Sequence, residues 1–129
     1  MILGVGHDLV HVPRVARLLA RWQGRFLDRV FTAAELDYCL ALTPAIRPQR
    51  LAARLAAKEA CYKALSQGRS LGIWFRDIEV VRDASRAPRL VLSPRAQGIA
   101  DAAGVTALHL SLSHDGEYAS AFVVLDAAA

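Results

Sequence analysis

Lysine is nearly missing from this chain of 129 residues: of 16 basic side chains only two, Lys58 and Lys63, are not arginine. They lie five residues apart. Lysine offers a compact, strongly hydrated point charge that arginine does not, so a chain that writes arginine nearly everywhere invites attention to the places where it keeps lysine. Cysteine is scarce as well. Cys39 and Cys61 are too few for a disulfide framework and neither lies in a CxxC pair, which predicts free thiols and a cytoplasmic setting. No apolar run approaches the roughly 18 residues of a membrane span, and no basic flank precedes the apolar start MILGVGHDLV, so neither an anchor nor a secretory signal is expected. There is no repeat, no low-complexity tract and no Gly/Ser linker. Gly4-Val5-Gly6 lacks the third glycine of a dinucleotide-binding loop.

What is present is a globular composition. Apolar residues make up 54% and charged residues 22%, which excludes a disordered tail. The length predicts a single domain, residues 1–125, with a frayed C-terminus over 126–129. The net charge of +4 is a mild excess that favours acidic partners without pointing to nucleic acid.

Local signals place the elements. Ile2 to Val5 reads as a strand. Pro13 opens a helix whose apolar stripe is Val12, Val15, Leu18 and Leu19. Thr43 to Pro48 reads as a loop. Thr32 followed by Glu35 matches a capping box, with a helix from there to about Leu42. Gln49 to Ser66 is alanine-rich without Gly or Pro, and predicts a longer helix stopped near Gly68. Ile73 to Val81 reads as a strand, Asp83 to Pro88 as a turn and Arg89 to Leu92 as its partner. Ser93-Pro94 caps a further helix that Gly104 ends. Leu108, Leu110 and Leu112 alternate with His109, Ser111 and Ser113, and Asp115-Gly116 turns the chain into a return strand from Tyr118 to Leu125. The sum is an α+β domain with a mostly antiparallel sheet and helices on one face.

Three groups of residues are candidates for chemistry. Asp8 follows the flexible Gly6 near the end of the first strand, where it either caps a turn or meets a ligand. Glu59 and Lys63 are one helical turn apart, which is either an ordinary surface pair or part of a site. The alanines around them, Ala52, Ala53, Ala56, Ala57, Ala60 and Ala64, permit another backbone to approach and cover these charges. Asp8 and Glu59 together would supply two hard oxygen ligands, the usual protein contribution to a Mg²⁺ held with water and phosphate, with Lys63 neutralising phosphate charge. Arg14, Arg17, Arg21 and Arg25 form a ridge on the first helix, either a solvated face or a docking surface for an acidic partner. His114 ends the polar-faced strand and suits a phosphate or a base role. His7 should point to the opposite strand face from Asp8, which argues against a shared transition-metal site. A Ser113-His114-Asp115 triad is excluded because adjacent residues cannot form one with each other.

Read together, the segments resemble one family. Gly4 to Val10 with Arg14, Phe31-Thr32 with Glu35-Leu36, Arg54 to Ala60 with Lys63-Ala64-Leu65, Asp77 to Val80, and Ser111 to His114 with Tyr118-Ala119 are similar, in order, to the holo-acyl-carrier-protein synthases, the short phosphopantetheinyl transferases. The resemblance implies transfer of 4′-phosphopantetheine from coenzyme A to a carrier-protein serine. It implies Mg²⁺ on Asp8 and Glu59, catalytic roles for Glu59 and Lys63, and coenzyme A contacts from Arg54, Lys63, Gly68 and His114. It also implies docking of acyl carrier protein on Arg14, Arg17 and Arg21, and a homotrimer with active sites between subunits. Ser66-Gln67-Gly68 departs from the family's usual Gly-Thr-Gly, and Arg86-Ala87-Pro88 from Gly-Lys-Pro. The alternatives kept open are a non-catalytic basic module binding an acidic protein or RNA, and a His/Asp metal hydrolase.

Overall fold

The computed structural model describes residues 1–22, 24–82 and 87–128. The first strand, β1 (Ile2–His11), leads into α1 (Val12–Trp22), α2 (Gly24–Val30), α3 (Ala33–Leu40) and the long α4 (Arg47–Ser66). A 3₁₀ turn (Phe75–Asp77) precedes β2 (Ile78–Val81) and β3 (Arg89–Leu92). α5 (Pro94–Ala102), β4 (Ala107–Asp115) and β5 (Tyr118–Asp126) complete the chain. All strand pairs are antiparallel, but they form two sheets and not one: β1-β5-β4, and the hairpin β2-β3. The α+β expectation holds.

α4 lies across the three-stranded sheet. The inward faces of β1 and β5 carry Gly6, Val10, Ala119, Ala121, Val123 and Leu125, all buried against it. The approach is as close as backbones allow. A Cβ added to Gly6 would stand 1.8 Å from the Ala60 carbonyl oxygen, and one added to Gly4 2.7 Å from that of Ala64. The alanine-rich face of the helix and the glycines of the strand are two halves of one contact, since any larger side chain would part them.

Helix ends follow the capping signals. Thr32 Oγ1 accepts from the Glu35 N–H at 3.3 Å while Glu35 Oε1 accepts from the Thr32 N–H at 2.9 Å. Ser93 Oγ caps α5 through the Ala96 N–H. α4 begins two residues before Gln49, because Pro48 occupies its first turn and does not end the preceding loop. It stops in a left-handed residue at Gln67 (φ 47°), one position before the expected glycine, and the Gln67 side chain donates to the Leu3 carbonyl at 2.9 Å. Gly68 follows with φ +86°.

Four further expectations are corrected. β1 continues past Val5 to His11, because β5 pairs with it along its length. The apolar run from Ile73 is not strand until Ile78. Asp77 accepts from the Trp74 N–H and from Ser93 Oγ, both at 2.7 Å, and this bends the chain into a 3₁₀ turn. A separate helix, α2, occupies the stretch read as the frayed end of the first, with Val30 buried and Phe26 edge-on to Phe31. β5 runs to Asp126, one residue past Leu125; the Met1 ammonium donates to Asp126 Oδ1 and the Ala127 N–H donates to the Met1 carbonyl. Residues 83–86, including most of the expected turn and Arg86, lie outside the described residues.

Lys58 has no exposed surface, and Glu35 is 1% exposed. Lys58 Nζ donates to Glu35 Oε1 at 2.6 Å, to the Phe75 carbonyl at 3.0 Å and to the Ile78 carbonyl. Glu35 Oε2 accepts from the Val80 N–H at 3.0 Å. Burial pulls the Lys58 ammonium below its ordinary pKa, and Glu35 opposes that pull. The pair ties α3, α4, the 3₁₀ turn and β2 together, with each buried charge provided with partners.

Candidate active site

Asp8 shares the inward face of β1 with Gly6, two residues away, so the glycine contact that seats α4 also brings the helix to the aspartate. Lys63 Nζ donates to Asp8 Oδ1 at 2.8 Å and to the His7 carbonyl at 3.2 Å. Its partner is therefore the strand acid and not Glu59 one turn back. Asp8 and Glu59 lie within hydrogen-bonding reach of each other. Arg14, at the start of α1, is near enough for its charge to act on Glu59.

The two carboxyls are driven apart in acidity. Burial raises Glu59, and the hydrogen bond with Asp8 and the Asp8 charge raise it further, to about 7. For Asp8, burial also works upward, but the hydrogen bonds from Glu59 and Lys63 and the charge of Lys63 outweigh it and hold the group low. Glu59 is then the carboxyl that carries the shared proton, and one that gains and loses it near neutrality.

Asp8 Oδ2 is buried and meets no hydrogen-bond donor among the described residues other than the Glu59 carboxyl. A covered carboxylate oxygen beside a second carboxyl is a fit for a hard cation. Among the described residues no third His, Cys, Asp or Glu joins them, so any ion there would complete its coordination with water or substrate oxygens, as Mg²⁺ does. His7 takes no part. It lies on the outer face of the sheet, stacked on Phe122 at 4.7 Å between centroids.

Arg54 and His114, far apart in sequence, line one cleft of about 380 Å³ together with Arg50, Arg82, Ser111 and Ser113. Arg54 is only 3% exposed and lies over the Tyr38 ring at 4.4 Å. Gly68 is exposed at the end of α4. Arg14, Arg17 and Arg21 are exposed along α1, and the ridge starts beside the carboxyl pair. The sequence reading did not single out Arg50. Its position one turn before Arg54 was the available signal.

The family model described as the 4′-phosphopantetheinyl transferase superfamily matches residues 4–123. The chain belongs to that superfamily. Within it, the chain groups with the holo-[acyl-carrier-protein] synthases. The enzyme of that name from Koribacter versatilis is 43% identical over 126 residues, covering 98% of this chain and 99% of the relative. The crystal structure of the synthase from Neisseria meningitidis superposes with a TM-score of 0.86 at 31% identity, covering 98% of this chain and 99% of that one. The synthase from Helicobacter pylori, solved in complex with coenzyme A, superposes with a TM-score of 0.80 at 30% identity, covering 95% and 99%. The phosphopantetheinyl transferase fold thus accounts for both sheets and for the long helix laid across the larger one. No described helix of this transferase is long and apolar enough to cross a membrane.

Proposed function

We propose that this chain transfers 4′-phosphopantetheine from coenzyme A to a serine of an apo-acyl carrier protein, with Asp8, Glu59 and Lys63 at the reacting diphosphate. The meeting of these three side chains across β1 and α4 is the observation that carries the reading. The serine oxygen bonds to the β-phosphorus, the bridging P–O bond of the diphosphate breaks, and adenosine 3′,5′-bisphosphate leaves. The hydroxyl proton passes to Glu59 or to a water at the site; before any cation binds, burial and Asp8 hold the Glu59 carboxyl up at about 7. Lys63, on an exposed side chain already aimed at the site, offsets charge on the leaving phosphate. Asp8 and Glu59 would hold Mg²⁺, which supplies charge neutralisation to the phosphate oxygens when bound.

The remaining assignments extend this reading. Arg54 and His114 receive the nucleotide end of coenzyme A and its 3′-phosphate, and Gly68 lies where the backbone is open to the donor. Arg14, Arg17 and Arg21 lead an acidic carrier helix toward the carboxyls. The outer face of the three-stranded sheet leaves Val5, Leu9 and Phe122 about half exposed, and three copies of the chain would cover it.

Incubation with apo-carrier protein, coenzyme A and Mg²⁺, read by intact mass, tests the reaction. A phosphopantetheine mass gain that disappears with EDTA and returns with Mg²⁺ is expected. No gain across several carriers would overturn it. Light scattering at the mass of three chains is expected for the assembly, and a monomer would remove that part.

A further inference from the structure

The cleft that holds Arg54 and His114 has a charge pattern that one arginine does not explain. Arg50, Arg54, Arg82 and His114 line it, and among the described residues no carboxylate does. Arg50 and Arg54 stand one turn apart on α4, so they project to the same side. Each has a buried Nε with no hydrogen-bond partner among the described residues. Arg54 is otherwise held, with its guanidinium over Tyr38 and Nη1 reaching the Arg50 carbonyl at a long 3.5 Å. A guanidinium has five N–H donors in a fixed fork and no acceptor, and burying such donors without partners is unfavourable unless an anion arrives. Two guanidiniums and an imidazole lining one cleft, with Ser111 and Ser113 on its wall, suit a doubly charged phosphate monoester better than a singly charged group.

We propose that Arg50 is a second phosphate-binding guanidinium in this cleft, acting with Arg54 on the 3′-phosphate of the donor and setting the chain's preference for coenzyme A over 3′-dephospho-coenzyme A. The inference rests on the function proposed above. The diphosphate belongs to the Asp8, Glu59 and Lys63 cluster, which leaves the monoester at the nucleotide end as the group for the arginine cleft. Arg50 thus contributes to donor selection and not to the chemical step.

The test compares both donors in the parent, Arg50→Ala and Arg50→Lys. Arg50→Ala is expected to raise KM for coenzyme A about ten- to a hundredfold, the loss of a charge-assisted hydrogen bond. Its kcat and its KM for the dephospho donor are expected to stay at the parent values. Arg50→Lys keeps the charge without the fork and is expected to recover part of the loss. Equal losses with both donors, or no change with coenzyme A, overturn the proposal. If Arg50→Ala melts out, Arg50→Lys decides alone, through a KM increase confined to coenzyme A. Calorimetry with adenosine 3′,5′-bisphosphate and adenosine 5′-phosphate separates this proposal from the transfer reaction. A parent preference for the bisphosphate that Arg50→Ala abolishes supports the Arg50 assignment even if no carrier is modified. Equal binding of the two nucleotides by the parent overturns it even if transfer is observed.

Discussion

The two lysines sit on the same helix and each pairs with a carboxylate, yet their surroundings differ in nearly every respect. Lys58 is fully buried and gives its ammonium to Glu35 and two backbone carbonyls, while Glu35 receives backbone N–H groups from Thr32 and Val80. Lys63 is 57% exposed along its side chain and meets Asp8, whose second oxygen is buried without a donor from the lysine side. The first cluster is closed, with its charges and lone pairs matched within the chain. The second is left open, with two carboxyls crowded together and one oxygen waiting. The difference separates a structural ion pair from a reactive one, and the identity of the residues alone does not.

The largest effect expected from this contrast is on folding. Lys58→Ala strands the Glu35 carboxylate in the core and should cost about 3–5 kcal/mol in urea unfolding. Pairing Lys58→Met with Glu35→Leu should recover much of that loss, because it removes both charges. A double variant as unstable as the single one would break the comparison. Lys63→Ala should do the reverse. Its stability should change by no more than about 1 kcal/mol, as for other exposed ion pairs, while kcat for carrier modification falls about 10²- to 10³-fold. Gly6→Ala comes next. Its Cβ would overlap the Ala60 carbonyl, and overpacking of this kind costs about 1–3 kcal/mol. Activity should fall further than stability does, since α4 moves away from Asp8.

The smallest effect sharpens the point about the open cluster. In metal-free buffer the folded protein keeps the Glu59 proton up to about pH 7, whereas the unfolded chain loses it near 4.5. Between those values the folded state binds more protons, so this group's contribution to stability falls as pH rises through the window. Glu59→Gln should therefore raise Tm relative to the parent at pH 8, and the gain should vanish below about pH 4.5. A gain that is the same at both pH values would place the strain elsewhere.

The parts of this molecule that could be read in advance are those written locally. The Thr32–Glu35 box, the Ser93-Pro94 helix start and the Asp115-Gly116 hairpin each depend on residues within a few positions of one another, and each is found in the structure. The alanines of α4 also announced a close neighbour correctly. The misses are long-range. β1 reaches His11 because β5, more than a hundred residues later, pairs with it. Ile73 is kept out of strand by an Asp77 side chain that bonds back to Trp74 and forward to Ser93. Lys58 is one of only two lysines, but nothing near it in sequence points to Glu35, 23 positions away. For the candidate site, Asp8, Glu59 and Lys63 were legible as a set, and the structure adds which acid the lysine chooses. Arg50 is written one helical turn from Arg54, but the feature that sets it apart, an Nε without a partner among the described residues, exists only in three dimensions.

The absence of a side chain at Gly6 has a reach beyond packing. With carbonyl and α-carbon nearly touching, the gap between strand and helix is at its lower limit and cannot drift inward, while the surrounding alanines leave no cushion that would let it drift outward by rotamer changes. The spacing of the two backbones that carry the carboxyls is thereby gauged by main-chain atoms, the least mutable material in a protein. Substitutions elsewhere in the core can accumulate without retuning that distance, and a chain that lost the glycine would have to relocate one of its two acids.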